Sequence, residues 1–372
     1  MEPGILVSVY DSYFFYRTGK LLLPCIFFSL CGIMKEISRN GGFAMSITKY
    51  FYYTCCDKFK EKKPAKKNDL VLPWHELVGY STTLGLYNGY SGSGIFRLHY
   101  STLSHLLLDE KAGNYVISDT YKKAEASFKG SYSFFLGMLA AKIIAHRNYN
   151  IRHLFHLNDS CVVFVPHKGP RPDFFGLDNS NAAFLFESKG TAKPNCSSET
   201  IDDAKAQLKA IRQVRYAGKK YFYSKLHKHI ITSSFPKEIW TIDDIDPSDS
   251  GDVTLFLDFD KAMFLYYRTI MELLLHAPSR SERTFSGTPF VCARVTDELC
   301  VGLHKGCYDF FQKGYGQYFT SQTSSSQIDV DPERFCPGVY DEVTSILSSF
   351  TPPEVTETLS ILPDGILCAS TL

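Results

Sequence analysis

The chain has 372 residues, 44% hydrophobic and 15% aromatic, which suits one core with a large elaboration or two domains and excludes a mainly disordered protein. Its net charge of +1 gives no bulk argument for nucleic acid, so any electrostatic signal must come from local clustering. Eleven cysteines, scattered from Cys25 to Cys368 without a regular framework, fit free thiols in a reducing cytoplasm.

Leu21 to Met34 is apolar, but it is 14 residues long, carries Pro24 and lies between Lys20 and Lys35. A spanning helix needs about 20 residues, so no membrane anchor is expected. Gly41-Gly42-Phe43-Ala44-Met45 reads as the forced translation of a ribosome-binding site before an internal start. Residues 1–44 are therefore expected to be a non-native or upstream-translated segment, with Met45 as the natural first residue.

Residues 45–120 read as a strand-rich N-terminal elaboration. Lys58, Lys60, Lys62, Lys63, Lys66 and Lys67 around Pro64 make a solvated linker or, alternatively, a phosphate-contacting arm. Between Leu70 and Leu108, short apolar runs alternate with Gly and Ser and predict several strands with turns. Gly89-Tyr90-Ser91-Gly92-Ser93-Gly94 has neither the nucleophile-elbow spacing nor the dinucleotide fingerprint, and His75-Glu76 lacks the second histidine of a zinc-protease helix.

Residues 121–147 carry the clearest helical period, with Phe128, Tyr132, Phe135, Leu136, Leu139 and Ile143 on one face. Cys161 to Val165 reads as a buried strand. Two apolar runs follow, one after Pro172-Asp173 and one ending in Glu187-Ser188-Lys189, with Asp178-Asn179-Ser180-Asn181 as the hairpin turn between them. Ser198 or Thr200 is expected to cap a helix running to about Ala217, with Ile201, Ala204, Leu208 and Ile211 inward and Lys205, Lys209 and Arg212 along its solvent side. His229 to Ser233 reads as a strand. The order is helix, three strands, helix, strand.

From Ala204 to Lys237 the chain holds nine Lys or Arg and no Asp or Glu, and from Glu238 to Asp260 it holds eight acids. The basic block can form a nucleic-acid rim or a solvated face. Residues 236–372 read as a C-terminal accessory region, with an apolar helix over Asp258 to His276 and a hairpin at Pro363-Asp364-Gly365.

If the run into Glu187 is a strand, its period of two puts Glu187 and Lys189 on one face, about 7 Å apart. Asp173 with that pair brings two carboxylates and an ammonium together. They can be a surface ion pair at a strand end, or they can hold a divalent cation beside a water to be deprotonated. Mg²⁺ or Mn²⁺ on Asp173 and Glu187, with the Ser188 carbonyl as a further oxygen ligand, would neutralise a phosphodiester, and Lys189 would orient the attacking water. Gly176 and Gly190 would keep the approach open. Pro363-Asp364 lacks a following Glu-x-Lys and is set aside.

Pro172-Asp173, Glu187-Ser188-Lys189 and the element order over residues 121–235 resemble the PD-(D/E)xK nuclease superfamily, with its restriction endonuclease-like fold. The resemblance implies an α/β chain whose αβββαβ core has a central mixed sheet flanked by helices, with N- and C-terminal elaborations. It implies a Mg²⁺- or Mn²⁺-dependent endonuclease acting on nucleic acid, DNA first, with Asp173, Glu187 and Lys189 catalytic. Glu125 is the acid it suggests on the preceding helix and Gln207 an auxiliary on the following one, although Ile211 stands where some relatives have Tyr. Bacterial host defence, as a homodimer or within a larger complex in the cytoplasm, is the setting of similar proteins. The rival expectation is an inert module of the same fold that binds nucleic acid or a partner protein. Cys292, Cys300, His304 and Cys307 fit no common zinc spacing and read as buried free thiols, with His304 beside them.

Overall fold

The computed structural model describes residues 48–54, 67–84, 99–103, 108–111, 114–157, 162–165, 171–216, 222–247, 251–320, 338–352, 356 and 358–370. Residues 1–44, Met45, the lysine-rich patch apart from Lys67, Gly89 to Gly94 and Cys161 lie outside them. The described elements belong to one unit, Met45–Leu372.

In chain order they begin with β1 (Thr48–Thr54), β2 (Lys67–Val71), α1 (Trp74–Ser81), β3 (Leu108–Lys111), β4 (Asn114–Ile117), α2 (Asp119–Lys123) and α3 (Ala126–Tyr149). Next come β5 (Leu154–His156), β6 (Val162–Val165), β7 (Phe174–Leu177), β8 (Ala183–Gly190), α4 (Ser198–Lys209), β9 (Ile211–Tyr216), β10 (Phe222–Tyr223) and β11 (Leu226–Ser234). The rest are β12 (Thr241–Ile245), β13 (Val253–Leu257), α5 (Phe259–His276), β14 (Arg280–Phe285), β15 (Thr288–Arg294), β16 (Leu299–His304), α6 (Lys305–Thr320), α7 (Val339–Ile346), β17 (Leu359–Ile361) and β18 (Ile366–Ser370).

This is a mixed α/β chain whose mixed sheets are flanked by helices. The main sheet has the order β2-β1-β12-β11-β8-β7-β5. β5, β7 and β8 are antiparallel neighbours, and β11 returns parallel to β8 after α4, as a crossover through a helix allows. A second sheet runs β10-β9-β13-β6 and a third β14-β15-β16-β18-β17. No helix among the described residues is long and apolar enough to cross a membrane.

Helix α3 lies on the β8 face that carries Phe184 and Phe186, with the Tyr149 ring 5.0 Å from Phe184. The Tyr149 hydroxyl reaches Asp244 at 2.6 Å, and His229 meets the same carboxylate at 2.9 Å, tying the helix end to β11 and β12. Where α3 crosses the end of β8, a Cβ on Gly190 would collide with the Ser133 carbonyl. Gly190 therefore admits a helix, and a Cβ on Gly176 would likewise meet the Ile151 side chain. Neither glycine serves the open approach expected of it.

Several expected elements differ. Residues 121–147 are two helices, broken where Ala124 and Glu125 turn extended; the Tyr121 hydroxyl folds back on Ser133 at 2.6 Å. Phe128 is exposed, because burial on α3 begins only at Ser133. Trp74 to Ser81 is helical where strands were expected, and its Leu77, Val78 and Tyr80 are buried. The first strand after α3 to join the main sheet is β5, not the run from Cys161. The more apolar β6 pairs instead with β13, far along the chain. The helix expected to reach Ala217 stops at Lys209, with Ser197 as its cap, and Ile211–Tyr216 continues as a strand beside β13. Arg212 therefore stands on β9. Helix α5 and the hairpin at Asp364 form as expected, with Asp258 capping α5 and Gly365 at a φ of 80°.

Candidate active site on the β7–β8 hairpin

The hairpin register follows from its turn. Asp178 accepts from the Ser180 and Ala182 backbone N–H groups at 2.8 and 2.7 Å, and Asn181 takes the left-handed conformation that asparagine tolerates. Leu177 then faces Ala183 and Phe174 faces Phe186. Continuing that register by one residue sets Asp173 opposite Glu187. Phe174 and Phe186 point to the α3 face, so Glu187 takes the other face with Lys189 two residues on, and Asp173, just before β7, sets its carboxylate against Ser188 and near enough to Glu187 for its charge to act there.

Secondary contacts fix these groups. Asp173 Oδ2 accepts from the Ser188 backbone N–H at 2.8 Å and from Ser188 Oγ at 2.7 Å. Lys189 Nζ donates to Glu187 Oε1 at 2.5 Å. Helix α4 covers Glu187: with its amide nitrogen turned to the carboxylate, Gln207 donates to both oxygens, to Oε2 at 3.2 Å. Gln207, on the helix that follows, is thus a direct partner of the buried acid.

Electrostatics at the site are lopsided. Glu187 is 1% exposed and Asp173 half-buried. Burial first, then the negative charge of Asp173, pushes the Glu187 carboxyl up to about 8, with Lys189 opposing both. His156, in register with Phe174, has its pKa lowered by burial; Asp173 pulls it up and Arg171 down. Leu157 N–H donates to the Asp173 carbonyl at 2.8 Å, so β5 holds the acid's backbone.

The same face continues across the sheet. Lys189 pairs with Thr232 on β11, and Thr232 pairs with Asp243 on β12. Thr232 Oγ1 donates to Asp243 Oδ2 at 3.2 Å, and the half-buried Cys196 thiol, raised to about 11 by burial, feels both Asp243 and Lys189. This row is not legible in the sequence. Asp243 sat in an acidic block, and Thr241-Ile242-Asp243-Asp244-Ile245 has no polar–apolar alternation to mark a strand or to say which strand lies beside it.

Other expected residues are placed differently. Glu125 is exposed at the start of α3, on the layer opposite Glu187, and accepts from Ser127 Oγ. It lies about 12 Å along the helix before Ser133, and among the described residues no hydrogen bond or ion pair joins it to Asp173, Glu187 or Lys189. Of the basic block, Lys205 pairs with Asp202 at 3.1 Å, and Lys228 is buried with its ammonium on the Ile211 carbonyl. Lys209 and Arg212 flank the end of α4. Cys292, Cys300 and Cys307 are buried free thiols, and no metal-holding group of three His, Cys, Asp or Glu side chains occurs among the described residues.

Comparison with protein-family models, with curated proteins and with solved structures finds no match in any of the three.

Proposed function

We propose that the chain is a divalent-metal-dependent nuclease of restriction endonuclease-like architecture, hydrolysing phosphodiester bonds of nucleic acid, DNA first. The observation that carries this reading is the register that sets Asp173 opposite Glu187, with Lys189 next on the same face. The order α3-β5-β7-β8-α4-β11, antiparallel up to β8 and parallel at the return, supports it.

The donor set suits a hard cation. Two carboxylates across a strand pair repel, and Glu187 gives up its charge below about 8, so a cation between them would restore the ionised form. Asp173 and Glu187 would hold Mg²⁺ or Mn²⁺, with the Ser188 carbonyl beside them, and the ion would supply charge neutralisation and a water of lowered pKa. Ser188 fixes the Asp173 rotamer through two hydrogen bonds, and Gln207 fixes Glu187 from above. Lys189 offers its remaining N–H donors to a nucleophilic water or a phosphoryl oxygen. Lys205 and Lys209 on α4 and Arg212 on β9 would supply the basic rim of this reading.

Incubation with plasmid, linear duplex, single strands and tRNA, in Mg²⁺ or in EDTA, is the test. Metal-dependent cleavage is expected, with Lys189→Ala losing about a hundredfold or more in rate. By calorimetry, Lys189→Ala should still bind Mn²⁺ and Asp173→Ala should not. Equal Mn²⁺ binding by wild type and Asp173→Ala would remove the metal site. Salt-sensitive binding of nucleic acid without cleavage would instead establish the inert module.

A further inference from the structure

The third sheet carries a concentration of charge that the nuclease reading does not use. Arg280, Arg283 and Arg294 line a cavity of about 430 Å³ together with Ser281, Cys292 and Cys300. The strand period explains the grouping of all but Arg280, which opens β14 one residue out of phase with the others. Ser281 and Arg283 on β14, Cys292 and Arg294 on β15 and Cys300 on β16 alternate onto one face, with Ser281 opposite Cys292 and Arg294 opposite Cys300.

The three guanidinium groups are not equally occupied. Arg280 Nη1 donates to the Tyr308 hydroxyl at 2.7 Å. Arg294 donates to the Thr296 and Asp297 carbonyls at 3.2 and 3.0 Å and meets the fully exposed Asp297 carboxylate at 3.2 Å. Arg283 is half-buried and makes no hydrogen bond or ion pair among the described residues. Its charge acts on two of the lining thiols: a hydrogen bond from Cys292 first lowers the Cys300 thiol, burial opposes it, and the Arg283 charge lowers it further.

No carboxylate is among the described residues that line the cavity. A partly buried guanidinium without an acceptor is costly, and its planar fork matches phosphate oxygens two at a time. The volume falls within the range of small-molecule sites, about 300–1,000 Å³. We propose that this cavity binds the phosphate group of a small anionic molecule of nucleotide size, with Arg283 as the central contact and Arg280 and Arg294 at its sides.

Calorimetry in EDTA at fixed ionic strength tests this with inorganic phosphate, pyrophosphate and ATP. Saturable binding at one site is expected, weakened about tenfold or more by Arg283→Gln and less by Arg283→Lys. Equal affinities for pyrophosphate and ATP would assign recognition to the phosphates alone; a tighter ATP complex would add the nucleoside. A bound anion beside Cys300 opposes its thiolate, so the saturating probe should slow alkylation of Cys300 in the wild type. Asp173→Ala should bind as the wild type does, which separates this cavity from the nuclease face. Absence of saturable binding with all three probes, or equal binding by wild type and an Arg283→Gln protein of unchanged circular dichroism, would overturn the proposal.

Discussion

At the scale of single residues, the pairing of Asp173 with Glu187 leaves a titration signature. An ordinary glutamate ionises near 4.5, whereas burial and the Asp173 charge keep Glu187 protonated up to about 8. The sign follows from linkage: the folded state holds the proton more tightly, so its contribution is full below 4.5 and is lost as pH rises through about 8. In EDTA the melting temperature should therefore fall across that window, and Glu187→Gln should remove this part of the slope. An unchanged slope in the variant would show that Glu187 is not the group responsible. Asp173, Glu187 and Lys189 were legible in the sequence because a hairpin is local and its period of two is strict. Gln207 was not, since its reach to Glu187 depends on the rotation of α4 over the sheet, and Asp243 depends on a strand paired from elsewhere.

At the scale of elements, two glycines separate packing from propensity. Gly190 ends β8 where the Ser133 carbonyl of α3 leaves no room for a Cβ, while Gly130 on the same helix has nothing within 4 Å of one. Gly190→Ala should cost about 3 kcal/mol or more in urea unfolding, because helix and strand must part. Gly130→Ala should stabilise by about 0.5–1 kcal/mol, as an exposed helical site gains propensity. If both changes proved neutral, the close crossing of α3 and β8 would be wrong. Long amphipathic elements such as α5 were readable from their 3.6 period. Leu154–His156 was not: three residues give too little pattern, and the apolar run at Val162–Val165 drew the strand reading although its partner is β13. Beyond Lys209, Ile211 and Val214 are spaced as a helical stripe, and β9 buries both only across the register shift opposite Val253 and Thr254, where pairing with β13 overrides the helical period.

At the scale of the whole molecule, the main sheet ignores the expected division of the chain: β1 and β12, from the two flanking regions, pair in parallel and extend the strands of the candidate site. The last hairpin joins the core in a different way. Its Asp364, 1% exposed, meets Lys142 of α3 at 3.4 Å and accepts from the Tyr266 hydroxyl, while its carbonyl accepts from Tyr267 at 2.6 Å. Burial comes first for both partners, lowering Lys142 to about 8 and raising Asp364, so desolvation outweighs their attraction. Asp364→Ala should destabilise by about 3–5 kcal/mol in urea unfolding, whereas Lys142→Met with Asp364→Leu should recover most of it. Equal stability of wild type and Asp364→Ala would show the pair to be idle. The pair also has a temporal side. Lys142 and Asp364 are separated by 222 positions, so during synthesis the central helix exists long before its buried lysine has an acid to meet. Until the β17–β18 hairpin leaves the ribosome, α3 has no Asp364 for this residue, which makes that hairpin a late step in closing the core.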